Sequence, residues 1–450
     1  MNLNLKFSDN LIKRGIDKGE FGLEKESLRV DANGYLSHTK HPFEEQSNIT
    51  RDFCENQIEL ITNVFDNVHD VLFHLEELQR KVLGALQQLE TGKEYLWPFS
   101  NPPYVKGEED IPIAQFEGEL IEKTEYRNYL AGKYGKKKML FSGIHLNYSF
   151  ADEIIKESYQ AFLSGEERTL AQDEIFTYQL YKDHLYLQLA QKVIRHSWFI
   201  VYLTAASPVM DVSALENKDS LTQYASVRCG EAGYWNDFTP VFQYRNLESY
   251  LESVEFYVKN RQLRSVSELY YPVRLKPRGE NSLALLREKG VNHIELRMLD
   301  INPLSPVGLL KEDVEFIHYF LLYLMRQEDI CLTKEEQMNA IINEKQAAKF
   351  DDSGVIIKDF GGNGKQIREA ALEILRDMEI FYMELDQLSV LEKIRYQKNK
   401  LLIPDNRYAD RIQRDYGTDY VKRGMRLAKE YTERLLTKPC EDELLTKWCV

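Results

Sequence analysis

The stretch FGLEKESLRV, residues 21–30, carries two glutamates, Glu24 and Glu26, two positions apart. Side chains alternate between the two faces of a β-strand, so a strand here projects both carboxylates from one face. Neighbouring like charges repel, and a folded protein tolerates them only where another group offsets the repulsion. The stretch therefore predicts a strand that presents a pair of carboxylates to a common partner.

Three further segments alternate in the same way: DFCENQIELIT (52–62), MLFSGIHLNYSF (139–150) and NHIELRMLD (292–300). In each segment one face is apolar and the opposite face is polar. The polar positions are Glu55, Gln57, Glu59, His145, Asn147, His293, Glu295 and Arg297. A solvated sheet face explains any one of these strands, but such a face usually mixes Thr, Lys, Ser and Gln. Strands that are all rich in carboxylates instead predict a shared site.

Longer segments between the strands repeat apolar residues with the period of an α-helix. They span residues 66–92, 173–203, 311–327, 365–385 and 420–436. Strands that lack regular βαβ spacing favour an α+β fold, in which helices cover an antiparallel sheet. We expect a single domain, with the sheet and its covering helices in residues 1–330 and a helical part in residues 331–450.

The composition is that of an ordinary globular protein, with 43% hydrophobic and 29% charged residues in a chain of 450. A net charge of −14, from 58 basic and 72 acidic residues, argues against nucleic acid or an acidic membrane surface as a partner. The most apolar run, SWFIVYLTAA (197–206), has roughly half the length that spans a bilayer. The N-terminus lacks an apolar run followed by small residues, so we expect no secretion signal.

The cysteines do not form a recognisable framework. They are Cys54, Cys229, Cys331, Cys440 and Cys449. Their number is odd, their positions are scattered and none has CxxC spacing, so neither a zinc ribbon nor a disulfide scaffold is indicated. A reducing cytoplasm is the expected setting.

The stretch GGNGKQ (361–366) has some features of a phosphate-binding loop but lacks others. Asp359 stands where that motif has its first glycine, and Gln366 replaces the Ser or Thr that would contact magnesium. We therefore interpret the stretch as a turn before a helix.

The polar faces of the strands share one chemistry. Carboxylates clustered in a cleft of low dielectric cost several kcal/mol unless cations neutralise them. Oxygen ligands with one imidazole suit Mg²⁺ or Mn²⁺, whereas zinc favours Cys and His. Magnesium held mainly by carboxylates usually keeps positions for substrate phosphates. The strands therefore predict a site for a divalent cation and for ATP.

The motifs of this chain resemble, in order and spacing, those of the bacterial glutamate–cysteine ligases. The resemblance rests on GLEKESLRV, RDFCENQIELIT, SGIHLNYSF and IELRMLDINPLSPVG, and it extends to LWPFSNPPY (96–104), KTEYRNYLAGKYG (123–135) and ELYYPVRLKP (268–277). It covers approximately residues 10–310 and becomes diffuse beyond residue 330.

The resemblance implies a fold similar to that of glutamine synthetase, in which a curved, mostly antiparallel sheet forms a funnel with helices outside. It implies metal ligands at Glu24, Glu26, Asp52, Glu59, His145 and Glu295. Asp52 and Glu59 differ in parity, so they cannot share a face of one regular strand. We expect either a bulge between them or a strand that begins after Asp52.

The activity implied by the resemblance is the ATP-dependent joining of the γ-carboxylate of L-glutamate to the α-amine of L-cysteine, through a γ-glutamyl phosphate. Glu295 and Arg297 are the expected catalytic residues, with Arg297 on the γ-phosphate. Arg274 and Lys276 are weaker candidates for nucleotide contacts, for which a structural role is an equal alternative. The implied substrate-binding residues are Tyr126, Arg127, Asn147, Arg228, Tyr234 and Tyr270. Without the resemblance, the residues of TEYRNYL (124–130) favour an amphipathic segment with no functional role over a substrate site.

Some relatives carry a second, ATP-grasp module that completes glutathione. The chain ends at Val450 with no room for such a module, so we expect γ-glutamylcysteine as the product. Separately, we expect a monomer in the cytoplasm. One alternative is a related ligase that joins glutamate to a different amine. Another is a non-catalytic regulator that binds nucleotide, which would be expected to have lost the metal carboxylates that this chain retains.

Overall fold

An antiparallel sheet lies at the centre of the protein, as the alternating segments predict. The computed structural model describes residues 5, 16–43, 48–164, 177–215, 223–359 and 361–437. The strands of the sheet are β1 (Gly19–Val30), β2 (Ile49–Arg51), β3 (Gln57–Ile61), β4 (Tyr95–Leu96), β5 (Gly143–Phe150), β6 (Val273–Lys276) and β7 (His293–Asp300). Their order is β2-β3-β1-β5-β7-β6, with β4 paired to the end of β1, and all these pairings are antiparallel. The four acidic segments therefore contribute four adjacent strands.

Helices surround this sheet, which confirms the α+β assignment. They are α1 (Val68–Leu86), α2 (Ile121–Tyr134), α3 (Asp152–Ser164), α4 (Tyr178–Thr204), α5 (Leu247–Lys259), α6 (Leu283–Lys289), α7 (Lys311–Leu324), α8 (Lys334–Ala347), α9 (Ile367–Glu384), α10 (Leu388–Leu402), α11 (Tyr408–Tyr416) and α12 (Tyr420–Thr437). The predicted helix from residue 66 begins two residues later, because Asn67 caps it by accepting a hydrogen bond from the Asp70 amide. The start predicted at residue 173 lies outside the described residues.

The apolar face of the sheet forms the main core. Its buried side chains are Leu23, Ile58, Leu60, Ile144, Leu146, Tyr148, Ile294 and Leu296. They belong to one cluster with Leu75 of α1, Val193 of α4 and Phe320 of α7. Burial of this surface on one side leaves the polar face of the same strands free to build a site.

The C-terminal helices pack on the segment LWPFSNPPY. The Trp97 indole and the Tyr420 hydroxyl both donate hydrogen bonds to the Asn101 carbonyl, at 2.8 and 2.7 Å. The Phe99 ring contacts the rings of Tyr416 and Tyr420 edge-on. The last helices are therefore tied to a motif in the first quarter of the chain.

The glycine-rich stretch at residues 361–366 belongs to a hairpin. Its last three residues form β9 (Gly364–Gln366), which pairs with β8 (Ile356–Lys358), and α9 follows directly. The Asp359 carboxylate accepts a hydrogen bond from the Asn363 amide, and the Gln366 side chain caps α9. The predicted turn is confirmed, although a short strand separates it from the helix.

No helix in the described ranges is long and apolar enough to cross a membrane. Cys54 and Cys229 are buried free thiols, and Cys331 is an exposed free thiol. Cys440 and Cys449 lie outside the residues that the structure describes.

Replacing Leu146 by alanine is expected to lower the free energy of unfolding by about 2–5 kcal/mol, because the side chain is completely buried at the centre of β5 and leaves a cavity. Chemical denaturation measures the change. Leu388→Ala is the matched control, since Leu388 is 65% exposed and its loss should cost less than about 0.5 kcal/mol. Equal effects of the two substitutions would contradict the assignment of the core face.

Candidate active site

The centre of the polar face is formed by neighbouring residues on β1, β5 and β7. Glu24 is paired directly with His145, and Asn147 with Glu295. His145 Nδ1 lies 3.2 Å from Glu24 Oε2 and 3.6 Å from Glu295 Oε1. Asn147 donates a hydrogen bond of 2.9 Å to the other oxygen of Glu24. One ligand atom from each of Glu24, His145 and Glu295 falls within 4.8 Å of the other two, as a shared metal ion requires.

A second group of carboxylates lies towards β3, and we call Glu26, Asp52 and Glu59 the acidic end of the site. Glu26 and Glu59 are directly opposite each other on β1 and β3. Asp52 lies in the turn between β2 and β3, and β3 begins only at Gln57. This geometry confirms that the strand begins after Asp52, which resolves the difference in parity.

Burial and mutual repulsion together raise the pKa values of the carboxyl groups at the acidic end, and the neighbouring arginines offset only part of this shift. Burial, together with the charge of Asp52, raises the pKa of Glu26 to about 8. Burial and the three neighbouring carboxylates raise the pKa of Glu59 well above its usual value. Burial also raises the pKa of Asp52, although Arg127 and Arg297 oppose this shift.

Glu55 was predicted on the polar face and does not lie there. It precedes β3, and its carboxylate instead accepts a hydrogen bond of 2.6 Å from Arg51 and another from the His41 amide. The alternation of faces applies only within a strand, and the chain turns before Gln57. This prediction was wrong because the strand was assigned too early a start.

The opposite end of the site is rich in cations, and we call Arg274, Lys276, Glu295 and Arg297 the cationic end. Arg297 donates a hydrogen bond of 2.9 Å to Glu295 Oε1. Arg274 Nη1 and Lys276 Nζ lie 3.6 and 3.8 Å from the Glu295 carboxylate. Burial opposes ionisation of Glu295, but these three cations hold its pKa well below the usual value. Glu295 is therefore a buried anion.

His145 lies between the two ends. Burial and the nearby Arg297 lower its pKa to about 4, so the imidazole is neutral at physiological pH. A neutral imidazole offers a lone pair to a metal ion.

The donor set of the polar face fits a hard divalent cation. Apart from one imidazole, the donors are carboxylate oxygens, which suits Mg²⁺ or Mn²⁺. Glu295 Oε2 and Asn147 Oδ1 are buried and accept no hydrogen bond from the described residues. A bound cation would give these buried oxygens a partner and would offset the charge of the neighbouring carboxylates, whose pKa values are raised.

One narrow cavity is lined by Arg297 and by three of the predicted substrate-binding residues, Arg228, Tyr234 and Tyr270. We call it the aromatic cavity, because the Tyr234 and Tyr270 rings contact each other there at a tilt of 48°, with centroids 4.1 Å apart. Arg228 Nη2 lies 3.5 Å from His145 Nε2, so the cavity adjoins the centre of the site. Asn147 lies at that centre, beside Glu24.

The two predicted residues on α2 are placed differently. Tyr126 is near Arg274 and Arg297, and its buried hydroxyl has no hydrogen-bond partner in the described part of the chain. Arg127 donates hydrogen bonds to the carbonyls of Arg51 and Asp52. Arg127 therefore holds the turn that carries Asp52, and its contact with substrate stays a prediction.

Arg274 has a structural role alongside its place at the cationic end. Its Nε and Nη2 atoms donate to the Leu269 carbonyl, and Nη2 also donates to that of Ser267. These bonds fix the guanidinium beside Glu295. Direct contact of Arg274 or Lys276 with a nucleotide stays a prediction.

A larger cleft of about 780 Å³ opens beside Asn147 and His293, and we call it the side cleft. Lys182, Arg278 and Lys289 line it. Sequence reasoning missed these three cations, because they come from α4, the segment after β6 and α6 and share no motif. The packing of these elements against the sheet brings the three cations to the same cleft as Asn147 and His293.

The sequence model of the glutamate–cysteine ligase family matches residues 5–265 and 239–347. The chain belongs to the glutamate–cysteine ligase family. A glutamate–cysteine ligase of Clostridium acetobutylicum is 31% identical, with 94% of this chain and 98% of that protein covered. A glutathione biosynthesis bifunctional protein of Listeria monocytogenes is 34% identical over 94% of this chain and 56% of that protein. The chain thus spans about half the length of such bifunctional relatives.

Solved structures of the family share this fold. A bifunctional glutathione synthetase from Pasteurella multocida matches with a TM-score of 0.80 and 26% identity, over 96% of this chain and 54% of that one. A glutamate–cysteine ligase from Francisella tularensis, solved in complex with AMP, matches with a TM-score of 0.83 and 22% identity, over 96% of this chain and 91% of that one. The agreement extends over the sheet and the C-terminal helices.

Glu26→Gln is expected to change how stability depends on pH in the absence of divalent ions. The folded-state pKa of Glu26, about 8, exceeds the usual 4.5, so the folded protein retains a proton that the unfolded chain has lost. Its contribution to stability is therefore complete at low pH and is lost as the pH rises from about 5 to 8. The neutral variant lacks this loss and should be more stable than the wild type at pH 8 by several kcal/mol, at about 1.4 kcal/mol for each pKa unit between 4.5 and 8.

Chemical denaturation in EDTA at several pH values measures this difference. Glu252→Gln is the control, because Glu252 is exposed on α5 and should leave the pH profile unchanged. Parallel profiles for the wild type and Glu26→Gln would show that the acidic end carries no excess repulsion.

Proposed function

We propose that the protein joins the γ-carboxylate of L-glutamate to the α-amine of L-cysteine, with ATP as co-substrate and γ-glutamylcysteine, ADP and phosphate as products. Membership of the family supports the reaction class. The observation that carries the proposal is the cationic end, where Arg297 lies beside the buried anion Glu295 and faces the carboxylates of β1. This arrangement can hold a polyphosphate and cations together.

The residues of the polar face have separate tasks in this proposal. Glu24, Glu26, Asp52, Glu59, His145 and Glu295 would hold divalent cations. When bound, Mg²⁺ or Mn²⁺ supplies positive charge that neutralises the oxygens of the transferred phosphoryl group. The Arg297 guanidinium binds the γ-phosphate through two parallel donors, and the cations of the side cleft attract the remainder of the nucleotide.

In the first step, a γ-carboxylate oxygen of glutamate attacks the γ-phosphorus of ATP, and the bond to ADP breaks. Phosphoryl transfer needs in-line positioning and stabilisation of charge more than covalent help from the protein. Arg297 is held for this task by its hydrogen bond to Glu295, which prevents the guanidinium from rotating away. The product is a γ-glutamyl phosphate.

In the second step, the acceptor amine attacks the acyl carbon and phosphate leaves. The aromatic cavity adjoins Arg297 and is the proposed acceptor site. Arg228 would bind the acceptor carboxylate, and the Tyr234 and Tyr270 rings exclude water from the reactive acyl phosphate. The narrowness of the cavity favours a small side chain such as that of cysteine.

We also propose that the protein works as a monomer in the cytoplasm. The free thiols at Cys54, Cys229 and Cys331 are compatible with a reducing compartment.

Phosphate release from ATP tests the proposal directly. The purified protein is assayed with L-glutamate and a panel of amines that includes L-cysteine and ammonia, with Mg²⁺ and with excess EDTA. Release that depends on glutamate, cysteine and Mg²⁺ together supports the proposal. Release with glutamate and ammonia, but not with glutamate and cysteine, would indicate a different acceptor. Full turnover in excess EDTA would exclude a role for the metal ligands.

Glu295→Gln is expected to lower kcat by on the order of 10²-fold, because a neutral amide cannot balance the charge of a metal ion and of Arg297. Arg297→Lys should be comparably severe, since a point charge replaces a planar pair of donors. Steady-state kinetics gives the effect, and circular dichroism checks the fold. Near-native turnover in both variants would show that the phosphate site does not lie on β7.

L-2-aminobutyrate, which has a methyl group in place of the cysteine thiol, is expected to be a weaker substrate. The amine is the attacking group, so loss of a side-chain contact should reduce kcat/KM by only about 10- to 200-fold. Burial raises the pKa of the thiols of Cys54 and Cys229, which argues against either as a nucleophile. A glutamyl thioester on either residue, detected by intact-protein mass spectrometry, would contradict this mechanism.

A further inference from the structure

A buried acid outside the metal site, Glu268, gathers donors from two segments. Its side chain is completely buried, and Oε1 accepts hydrogen bonds from Lys133 Nζ at 2.7 Å and Tyr134 Oη at 2.8 Å. Tyr129 Oη lies 3.3 Å from the same oxygen. The other oxygen accepts the backbone N–H of Arg264 at 2.5 Å. One carboxylate thus binds three residues of α2 and the segment that leads to β6.

Asn236 extends this network to a third segment. Its Nδ2 donates to Tyr134 Oη at 3.0 Å and to the Glu268 carbonyl at 2.8 Å. Its Oδ1 accepts the backbone N–H of Tyr270 at 2.9 Å. Asn236 is itself buried, so these bonds are shielded from water.

The three connected segments carry five of the six residues predicted to bind substrate. Tyr126 and Arg127 lie on α2, Arg228 and Tyr234 precede Asn236, and Tyr270 follows Glu268. The Tyr270 ring contacts both Tyr134, at 5.5 Å between centroids, and Tyr234. The network therefore lies behind the aromatic cavity and touches the backbone of one of its walls.

We propose that Glu268 and Asn236 are positioning residues that hold two walls of the aromatic cavity, formed by residues 228–235 and 270–272, against α2 at the spacing required by the acceptor amino acid. This inference rests on the proposed function and adds a determinant of acceptor binding to it. Neither residue is assigned a contact with substrate. No residue of the network lines the side cleft, but the carbonyls of Ser267 and Leu269, on either side of Glu268, hold Arg274 at the cationic end. Tyr134→Phe leaves Glu268 and this segment in place, so it is the variant that should leave ATP binding unaffected.

The chemistry of the network explains why a carboxylate is needed. Donors approach both oxygens of Glu268, and an amide would turn an NH₂ group towards one of them. Burial opposes the charge of Lys133, but its hydrogen bond to Glu268 raises the lysine pKa. Glu268→Gln therefore breaks the charge-assisted bonds, whereas Tyr134→Phe removes only the hydroxyl that joins Glu268 to Asn236.

Steady-state kinetics with varied L-cysteine and varied ATP tests the proposal. Glu268→Gln and Tyr134→Phe should each raise KM for cysteine by about 10-fold, and Tyr134→Phe should leave KM for ATP within about twofold of the wild type. Asp313→Asn is the matched control. Asp313 is also a buried acid, and it lies on α7, 2.8 Å from Lys400 of α10. Asp313→Asn should change neither the KM for cysteine nor the KM for ATP, even if it lowers stability.

Hydrogen–deuterium exchange provides a readout that does not depend on activity. Peptides covering residues 228–236 and 264–274 should exchange faster in Tyr134→Phe than in the wild type or Asp313→Asn. Absence of ligase activity in the wild type would refute the proposed function, and exchange would then decide whether the network holds these segments. Equal rises in both KM values in Tyr134→Phe, or exchange unchanged in both peptides, would overturn the inference.

Discussion

Repulsion between carboxylates on one sheet face is the constraint on which the rest of the structure depends. Glu26 and Glu59 are directly opposed on neighbouring strands, an arrangement that destabilises a sheet when both are charged. Asp52 adds a third acid from the adjoining turn. The buried apolar face of the same strands, covered by α1, α4 and α7, supplies the hydrophobic stabilisation that holds them together. The core and the site are thus two faces of one element.

The two ends of the site are electrostatically opposite, and this asymmetry gives the site a direction. Glu295 is surrounded by Arg274, Lys276 and Arg297, so that end attracts anions. The acidic end lacks comparable compensation and attracts cations. A nucleotide with its metal ions carries both charges, and the sheet presents complementary charge to each part. The neutral His145 lies between the ends, and its lone pair can bind a metal ion on either side.

Buried polar networks fix the segments that the sheet itself does not hold. Asp300 accepts hydrogen bonds from the Ala206 amide and from the hydroxyls of Ser207 and Ser226, close to the segment that carries Arg228. These bonds are strong because they are formed away from water. They connect the end of β7 to segments distant in the chain, as the Glu268 network does for α2. Rigid positioning of loop residues is what catalysis by orientation requires.

The alternating pattern by itself determined which residues of β1, β5 and β7 face the site, because side-chain direction in a strand depends only on local parity. It failed at Glu55, where a turn interrupts the strand, and it could not distinguish structural from functional arginines, as Arg127 shows. The place of Lys182 and the contacts of Glu268 were decided by the tertiary structure alone. Strand order and helix packing bring these groups together although they are far apart in the sequence. A local periodicity cannot predict contacts between such distant residues.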